Sequence, residues 1–251
     1  MKNLLKKTFF ISALCITSSV FAQSAVLNSD NPEGYQQFKI DYEEMIELAN
    51  PNRLSWRMFY TAPSEGPDAA WFDAVKQGNL NVVKKMVKDG QNLEAKDEAS
   101  LGQTALGWAA FIGYEDMVDY LIEQNADLFA TDSGDVTNVL KSAGLGKNVD
   151  IFEKIYDRLK DNVDLNDQKN DRQGETILIV ASSNDRQDIV EFLLEQGADP
   201  NLVTTIEDKD DGAYDQSALS FACDKGNAST IKTLLEHGAV NHRTGKAACD
   251  Y

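Results

Sequence analysis

The sequence has few of the residues from which catalytic and metal sites are built. It contains 2 histidines, 3 cysteines and 5 prolines, and it shows no glycine-rich phosphate loop and no His-x-x-x-His pair. His237 falls at the predicted C-terminal turn of a helix, where a cation complements the helix dipole, and no serine or cysteine partner pattern accompanies it. We therefore predict a chain that is not an enzyme and that has no catalytic residues, no metal site and no cofactor.

Basic residues are also scarce. There are 24 lysines and arginines against 41 aspartates and glutamates, which gives a formal net charge of −17. Such a charge repels nucleic acid and anionic membrane surfaces, so neither is predicted as a partner. It steers basic partners toward the chain. The alternative explanation is that the acidic charge only keeps the protein soluble. The sequence leaves both explanations open.

No apolar run is long enough to span a bilayer. The N-terminus carries Lys2, Lys6 and Lys7, then an apolar stretch at 9–20, and Ala22 offers a small-residue cleavage site. This pattern is typical of a cleaved signal peptide of bacterial type, so we predict removal of residues 1–22, a periplasmic location and no membrane insertion afterwards. Cleavage removes three lysines and no acid, which takes the net charge from −17 to −20. An uncleaved anchor is the alternative, which the short run disfavours.

One helical pattern dominates the rest of the chain and is clearest at residues 102–127. A short helix is predicted at 104–111, ended by Gly113, because glycine tolerates the left-handed conformation that ends helices. From Glu115 onward, apolar residues recur at helical spacing and predict a second helix with one apolar stripe: Met117, Val118, Leu121 and Ile122. Two such short helices cannot bury their apolar faces alone, so the unit should recur.

The unit does recur. In register, residues 104–113 match 137–146, 176–185 and 217–226, and 69–78 match more loosely. The unit ends recur at 125–127, 162–164, 197–201 and 238–241. This pattern resembles the ankyrin repeat, a turn and two helices with a period near 33. The resemblance covers 68–243 and implies an all-α ankyrin-repeat solenoid of about five helix-turn-helix units with β-turn tips.

Segments on both sides flank the predicted repeats. Residues 23–67 precede them and residues 244–251 form a C-terminal tail. Within 23–67, an amphipathic helix is predicted at 35–49, followed by an apolar cluster: Leu54, Trp56, Met58, Phe59 and Tyr60. A solenoid needs cover over the exposed face of its first repeat, so we predict an N-terminal helical cap here. A binding patch is the alternative.

The resemblance also implies where a partner binds, because the family's usual surface is the concave side. That side consists of the β-turn tips, here 97–101, 132–136, 167–175 and 202–216, and of positions late in each first helix. Those helix positions are polar in the family consensus, so Phe111, Ile112 and Leu145 are predicted as apolar anchors facing water. Packing of Phe111 against the preceding tip is the alternative, and Trp108 is assigned to the core. The predicted partner-binding residues are Phe111, Ile112, Leu145, Arg172, Ser183, Asn184, Asp208, Asp210, Asp211 and Tyr214.

Two insertions depart from the repeat pattern. The third unit has four extra residues between Gly146 and Asn162, and the last tip is long and acidic at 207–211. Insertions in solenoids collect on one face, often the binding face. A divalent-cation or small-ligand site at 207–215 is the alternative function. When the acidic tip is aligned with an EF-hand calcium loop, Lys209 falls at a ligand position, and a lysine cannot bind a cation. The sequence therefore favours a solvated run of charged residues.

Cys223 lies inside the first helix of the last unit and Cys249 lies in the tail. In an oxidising compartment an even pair of cysteines is commonly a disulfide, so we predict this bond, with one buried and one free thiol as the alternative.

The resemblance also bears on function. Small secreted bacterial ankyrin proteins look like partners or inhibitors of other proteins, including immunity proteins and accessories of oxidative-stress enzymes. The predicted function is a monomeric, non-enzymatic protein-binding module whose acidic concave face holds a basic partner protein.

Overall fold

The computed structural model describes Ser64 and residues 66–98, 102–132, 138–146 and 148–251. The helices of this part form five successive pairs, and beyond two isolated β-bridges it contains no strand. None of these helices has the length and apolar character needed to cross a membrane. The predicted signal peptide and cap lie outside the described residues. The helices are α1 (Ala69–Lys76), α2 (Leu80–Lys88), α3 (Ala105–Ile112), α4 (Glu115–Glu123), α5 (Val139–Leu145), α6 (Val149–Leu159), α7 (Ile177–Ser183), α8 (Gln187–Glu195), α9 (Ala218–Lys225) and α10 (Ala228–Glu236).

The helix pairs stack on one another in chain order. Along one layer α1 packs on α3, α3 on α5, α5 on α7 and α7 on α9. Each of these first helices also packs on the second helix of its own pair, and α6, α8 and α10 contact one another in order. One continuous apolar core runs between the two layers. The predicted all-α solenoid is confirmed.

Side-chain caps begin four of the five first helices, all except α1. Thr104 Oγ1 accepts a hydrogen bond from Gly107 N at 3.1 Å, and Thr176 and Ser217 cap α7 and α9 in the same way. These bonds satisfy amide groups that have no partner inside the helix. In the third unit the cap is Asn138, whose side chain accepts from Lys141 N at 2.9 Å. The predicted start at Thr137 was wrong by one residue, because asparagine caps a helix as well as threonine does.

Most of the predicted helix-breaking positions adopt the left-handed conformation. Gly113 has φ 101° and Asp185, without a glycine's freedom, has φ 54°. Gly146 differs, since its φ is −70°. A Cβ at Gly146 would lie 2.6 Å from the carbonyl oxygen of Phe111. Glycine is therefore needed there for the close approach of α5 to α3, and not for a left-handed turn.

The third unit contains the predicted insertion. Helix α6 has 11 residues, whereas α4 has 9. Both helices begin directly after their N-cap residues, Tyr114 and Asn148. The two additional helical residues, Arg158 and Leu159, therefore extend the C-terminal end of α6. Of the other two inserted residues, one precedes Asn148 and one lengthens the turn that ends at Asn162.

Polar contacts join neighbouring units at the start of the second helices. Tyr114 Oη donates to the carbonyl of Lys76 at 3.1 Å, and Arg186 Nε donates to the carbonyl of Leu145 at 2.7 Å. Both carbonyls belong to the last turn of a first helix, where they have no intrahelical partner. Each such bond satisfies a buried polar group and fixes one unit against the previous one.

Candidate partner-binding surface

The apolar anchors predicted on the concave side are buried. Phe111 is 1% exposed, Ile112 0% and Leu145 0%. Ser183 is also buried, and of the predicted helix positions in this group only Asn184 is partly exposed. The prediction that Phe111, Ile112 and Leu145 face water was wrong.

The packing of α3 and α5 explains this burial. The ring of Phe111 contacts that of Trp108 edge-on, with centroids 6.0 Å apart. Because Gly146 has no side chain, the end of α5 comes within van der Waals distance of the backbone at Phe111. Every residue of α3 and α5 is buried, as expected for α3, which is apolar on all sides, whereas α5 also buries Lys141 and Ser142. These side chains stabilise the core rather than offering a free binding face.

A buried polar cluster lies between the first two units and was not predicted. Lys76 Nζ forms an ion pair with Asp97 at 2.7 Å, and both side chains are almost inaccessible to water. Trp108 Nε1 donates to the same carboxylate at 3.0 Å, and Lys76 Nζ donates to Ser64 Oγ at 2.8 Å. Burial lowers the pKa of Lys76, and the Asp97 carboxylate opposes this shift. The cluster holds the tip at Asp97 against α1 and α3.

A second buried ion pair organises the tip at residues 171–175. Lys141 Nζ lies 3.0 Å from Asp171 Oδ2 and donates to the carbonyl of Glu175 at 2.6 Å. The other oxygen of Asp171 accepts from the amides of Gln173 and Glu175 at 2.9 and 2.8 Å. Arg172 is exposed on this rigid turn. The predicted binding residue Arg172 is thus accessible and has a fixed backbone.

The acidic tip, residues 203–217, packs against the tip at 171–175. Gln173 Nε2 donates to Asp211 Oδ1 at 2.8 Å, and the carbonyl of Gln173 accepts from Thr205 N at 3.0 Å. A Cβ at Gly174 would lie 2.0 Å from Thr205 Oγ1, so the two tips are in close contact. Together they form one surface, the tip platform, defined as residues 171–175 and 203–217.

The tip platform brings together five of the predicted binding residues. Arg172, Asp208 and Asp210 are exposed, and Asp211 and Tyr214 are half-buried. Asp208 Oδ1 accepts from Asp210 N at 3.0 Å, and Asp211 Oδ1 accepts from Ala213 N at 2.8 Å. The acidic tip is therefore a hydrogen-bonded turn that presents carboxylates next to one arginine. Phe111, Ile112 and Leu145 are not part of it.

The cation alternative gains no support in the described part of the chain. No group of three or more histidine, cysteine, aspartate or glutamate side chains is placed there to hold a metal ion. Asp211 is turned toward Gln173 and Ala213 by hydrogen bonds.

The tail packs against the last unit. The structure places Cys223 and Cys249 at bonding distance, with Cα atoms 5.6 Å apart. Arg243 Nε donates to Asp215 Oδ2 at 2.7 Å, and Arg243 lies over the ring of Tyr251. His237 Nδ1 contacts the carbonyl of Thr233 at 2.8 Å, at the helix terminus where it was predicted.

Sequence reasoning missed the buried ion pairs and the contact between the two tips. One signal was available: Lys76 and Lys141 both occur in predicted first helices, whose other residues are mostly apolar. A lysine there must be exposed or paired, because an unpaired buried charge is very unfavourable. The partners, Asp97 and Asp171, belong to the tips of the following units, so spacing alone does not identify them.

Comparison with known proteins agrees with this architecture. A family model described as ankyrin repeats in three copies matches residues 71–168 and 137–204, and a model of a single ankyrin repeat matches residues 214–245. The chain belongs to the ankyrin-repeat family. Ankyrin repeats are protein-binding modules, and the tip platform is the accessible surface where this structure gathers the predicted binding residues.

The curated relatives are similar to this chain over part of its length. The chain is 41% identical over 86 residues to protein phosphatase 1 regulatory subunit 27 of Homo sapiens, which is 34% of this chain and 54% of that protein. The mouse protein of the same name is 38% identical over 86 residues, with the same coverage of 34% and 54%. The inactive serine/threonine-protein kinase TEX14 of Bos taurus is 43% identical over 60 residues, 24% of this chain and 4% of that protein. The chain spans about half the length of the first two relatives.

Proposed function

We propose that this chain is a non-enzymatic, exported protein-binding module that holds a basic partner protein on its tip platform. The observation that carries the proposal is the contact between two tips through Gln173 and Asp211, which presents Arg172, Asp208 and Asp210 on one accessible surface. The family membership supports a protein partner.

Charge supports a basic partner. The acidic residues outnumber the basic ones, 41 to 24, and the tip platform contributes Glu207, Asp208 and Asp210 as exposed acids. Opposite charges across an interface steer encounter and raise the association rate. Tyr214 adds a half-buried aromatic side chain beside the acids, the residue type most often found where interfaces concentrate their energy.

Rigidity supports binding through the tip backbone. Asp171 and Asp211 each accept two amide hydrogen bonds within or between the tips. A surface already fixed in its bound geometry loses less conformational freedom on association, and this improves affinity. The alternative is a charged loop that only keeps the chain soluble. Such a loop does not require the hydrogen bond from Gln173 to Asp211.

The test is capture of proteins from periplasmic extract, followed by association kinetics with any basic protein recovered. Reversal of Asp208 and Asp210 to lysine should slow association at low salt, and high salt should remove the difference. The matched control is reversal of Asp188 and Glu191, which are exposed on α8 away from the tips. Equal slowing by both double variants would mean that net charge, and not the tip platform, governs binding.

Two further partner classes deserve a direct assay. The phosphatase regulatory relatives make a protein phosphatase catalytic subunit one candidate to include in the capture experiment. Inhibitor, immunity and stress-enzyme accessory roles make a secreted toxic enzyme or an oxidative-stress enzyme the other. These roles are distinguished by measuring whether the captured enzyme loses or keeps its activity when bound.

Export is part of the proposal and is tested separately, by identifying the N-terminal residue of the exported protein. The N-terminal residue of protein recovered from the periplasmic fraction of a bacterial host should be Gln23, because Ala22 ends the small-residue cleavage site. Recovery of the chain with Met1 intact in that fraction would contradict the signal-peptide prediction. It would leave the binding proposal unaffected.

A further inference from the structure

A cavity of about 370 Å³ lies at the base of the tips in the third and fourth units. Its apolar walls include Leu128, Leu159 and Val163, and its polar rim includes Asn162, Asp164 and Asp167. The volume falls at the lower end of the range for ligand pockets in proteins, roughly 300–1,000 Å³. It is large enough for a single long side chain or a small organic ion.

The insertion in the third unit builds this cavity. Leu159 belongs to the C-terminal extension of α6, and Asn162 and Val163 lie in the lengthened turn after it. All three residues line the cavity. Helices α4 and α8 each have two residues fewer than α6, so neither helix has a residue at the position of Leu159.

The rim is negatively charged and has no compensating ion pair in the described structure. Asp164 accepts from Asn166 N at 2.9 Å, and Asp167 accepts from Lys169 N at 2.9 Å and from Asn170 Nδ2 at 2.7 Å. Neither carboxylate forms a salt bridge with a described residue. The buried ammonium of Lys141 also lines the cavity, but its ion pair is with Asp171.

The environment of Asp167 favours the ionised form of its carboxyl group. Burial acts to raise the pKa of Asp167, but the hydrogen bonds from Lys169 N and Asn170, together with the Lys141 ammonium, outweigh burial and hold that pKa below its usual value. The ring of Phe129 lines the same cavity and is 55% exposed. The cavity thus joins apolar walls, a carboxylate rim and an accessible aromatic ring.

We propose that this cavity receives one arginine or lysine side chain of the partner protein, with the aliphatic stem against Leu159 and Val163 and the cationic head between Asp164 and Asp167. Long basic side chains bury their stems along apolar surface while the charged head stays at the polar edge. Phe129 offers a ring face on which the cation can stack. The inference rests on the proposed function in one respect, that the partner is basic.

The test is a titration of the ¹⁵N-labelled protein with Nα-acetyl-arginine amide and, separately, with Nα-acetyl-citrulline amide. Citrulline has nearly the same shape but carries no charge. The arginine probe should shift the amide signals of residues 159–170 in a saturable way, and the citrulline probe should shift them at least tenfold more weakly. Equal responses to the two probes, or no saturable response to arginine, would overturn the proposal.

Paired variants localise the effect. The change of Asp164 and Asp167 together to asparagine should weaken arginine binding by tenfold or more. Asp199→Asn is the matched control, because Asp199 accepts from Asn201 N at 2.9 Å as Asp164 accepts from Asn166 N, but it lies outside the cavity. It should leave the titration unchanged. Circular dichroism establishes that each variant keeps its fold, and arginine binding that survives the loss of both rim carboxylates would overturn the proposal.

The two proposals fail differently. If arginine binds at the cavity and no basic protein is captured, the cavity proposal stands and the proposed function fails. If a basic protein is captured with equal affinity by the wild type and by the Asp164 and Asp167 double variant, the proposed function stands and the cavity proposal is overturned.

Discussion

In the second helix pair all eight residues of α3 are buried, whereas in the fifth pair only four of the eight residues of α9 are. The aligned positions Trp108 and Phe221 illustrate the difference. Each is the fourth residue of its first helix, but Trp108 is fully buried and Phe221 is only half-buried. The same repeat position therefore has a different environment at the end of the array.

The neighbours of the two helices account for this contrast. Helix α3 packs on α1 and α5 as well as on α4, while α9 packs on α7 and α10. Additional contacts hold the fifth pair together. Ser217 and Ser220 form a capping box, Cys223 lies at bonding distance from Cys249 in the tail, and Arg243, just before the tail, forms an ion pair with Asp215. Internal units are stabilised by stacking, and the last unit is stabilised by local and tail contacts.

The largest effect should separate the two aligned aromatic positions. Trp108→Ala should lower the free energy of unfolding by about 3–5 kcal/mol, because it removes a buried ring and leaves a cavity. Phe221→Ala should lower it by about 1–2 kcal/mol, because less apolar surface is buried there. Urea denaturation followed by circular dichroism measures both. Equal losses would mean that the end unit is packed as tightly as the internal one.

An effect of similar size is expected from breaking the buried ion pair. Asp97→Ala should destabilise the protein by about 3–5 kcal/mol, because it leaves Lys76 buried without its partner. Asp157→Ala is the control: its pair with Lys160 is solvent-exposed, and such pairs contribute little to stability. Adding Lys76→Met to Asp97→Ala should restore part of the stability. A double variant less stable than Asp97→Ala alone would show that the lysine has another stabilising role.

The disulfide comes next. Cys223 and Cys249 are 26 residues apart, and closing a loop of this size contributes roughly 3 kcal/mol. Protein isolated from the periplasm should be two hydrogens lighter than the reduced form in non-reducing intact mass analysis, and reductant should lower its melting temperature. A variant with serine at both positions should not respond to reductant. Alkylation of both thiols without prior reduction would rule out the bond.

The smallest effect concerns the tail and pH. Burial acts to raise the pKa of Asp215, but the bonds from Arg243 and His242 outweigh it and hold that pKa below its usual value. A carboxyl with a depressed folded-state pKa stabilises the fold above its unfolded pKa, about 3.9, and this contribution disappears as pH falls through the lower folded value. Asp215→Asn should therefore reduce the melting temperature slightly at pH 7, and this reduction should shrink as the pH falls below about 3.9. A difference that stays constant as the pH falls would contradict the electrostatic explanation.

The sequence by itself determined the repeat and most of its boundaries, because these depend on local features. Apolar spacing defined the second helices, and Thr104, Thr176 and Ser217 marked the starts of three first helices. Gly113 and Gly226 marked helix ends through their left-handed conformation. The pairing of Cys223 with Cys249 followed from their count and position, and the structure brings the two sulfurs together.

Only the tertiary structure decided which surfaces are free. Phe111 and Leu145 were predicted to face water from their repeat position, but their burial depends on how closely neighbouring helices approach, which Gly146 permits. The contact between Gln173 and Asp211 joins residues 38 apart in sequence. The extra residues of the third unit were visible in the sequence, yet a cavity exists only where side chains from successive units surround the same space. Such features depend on packing between units, which a local pattern does not encode.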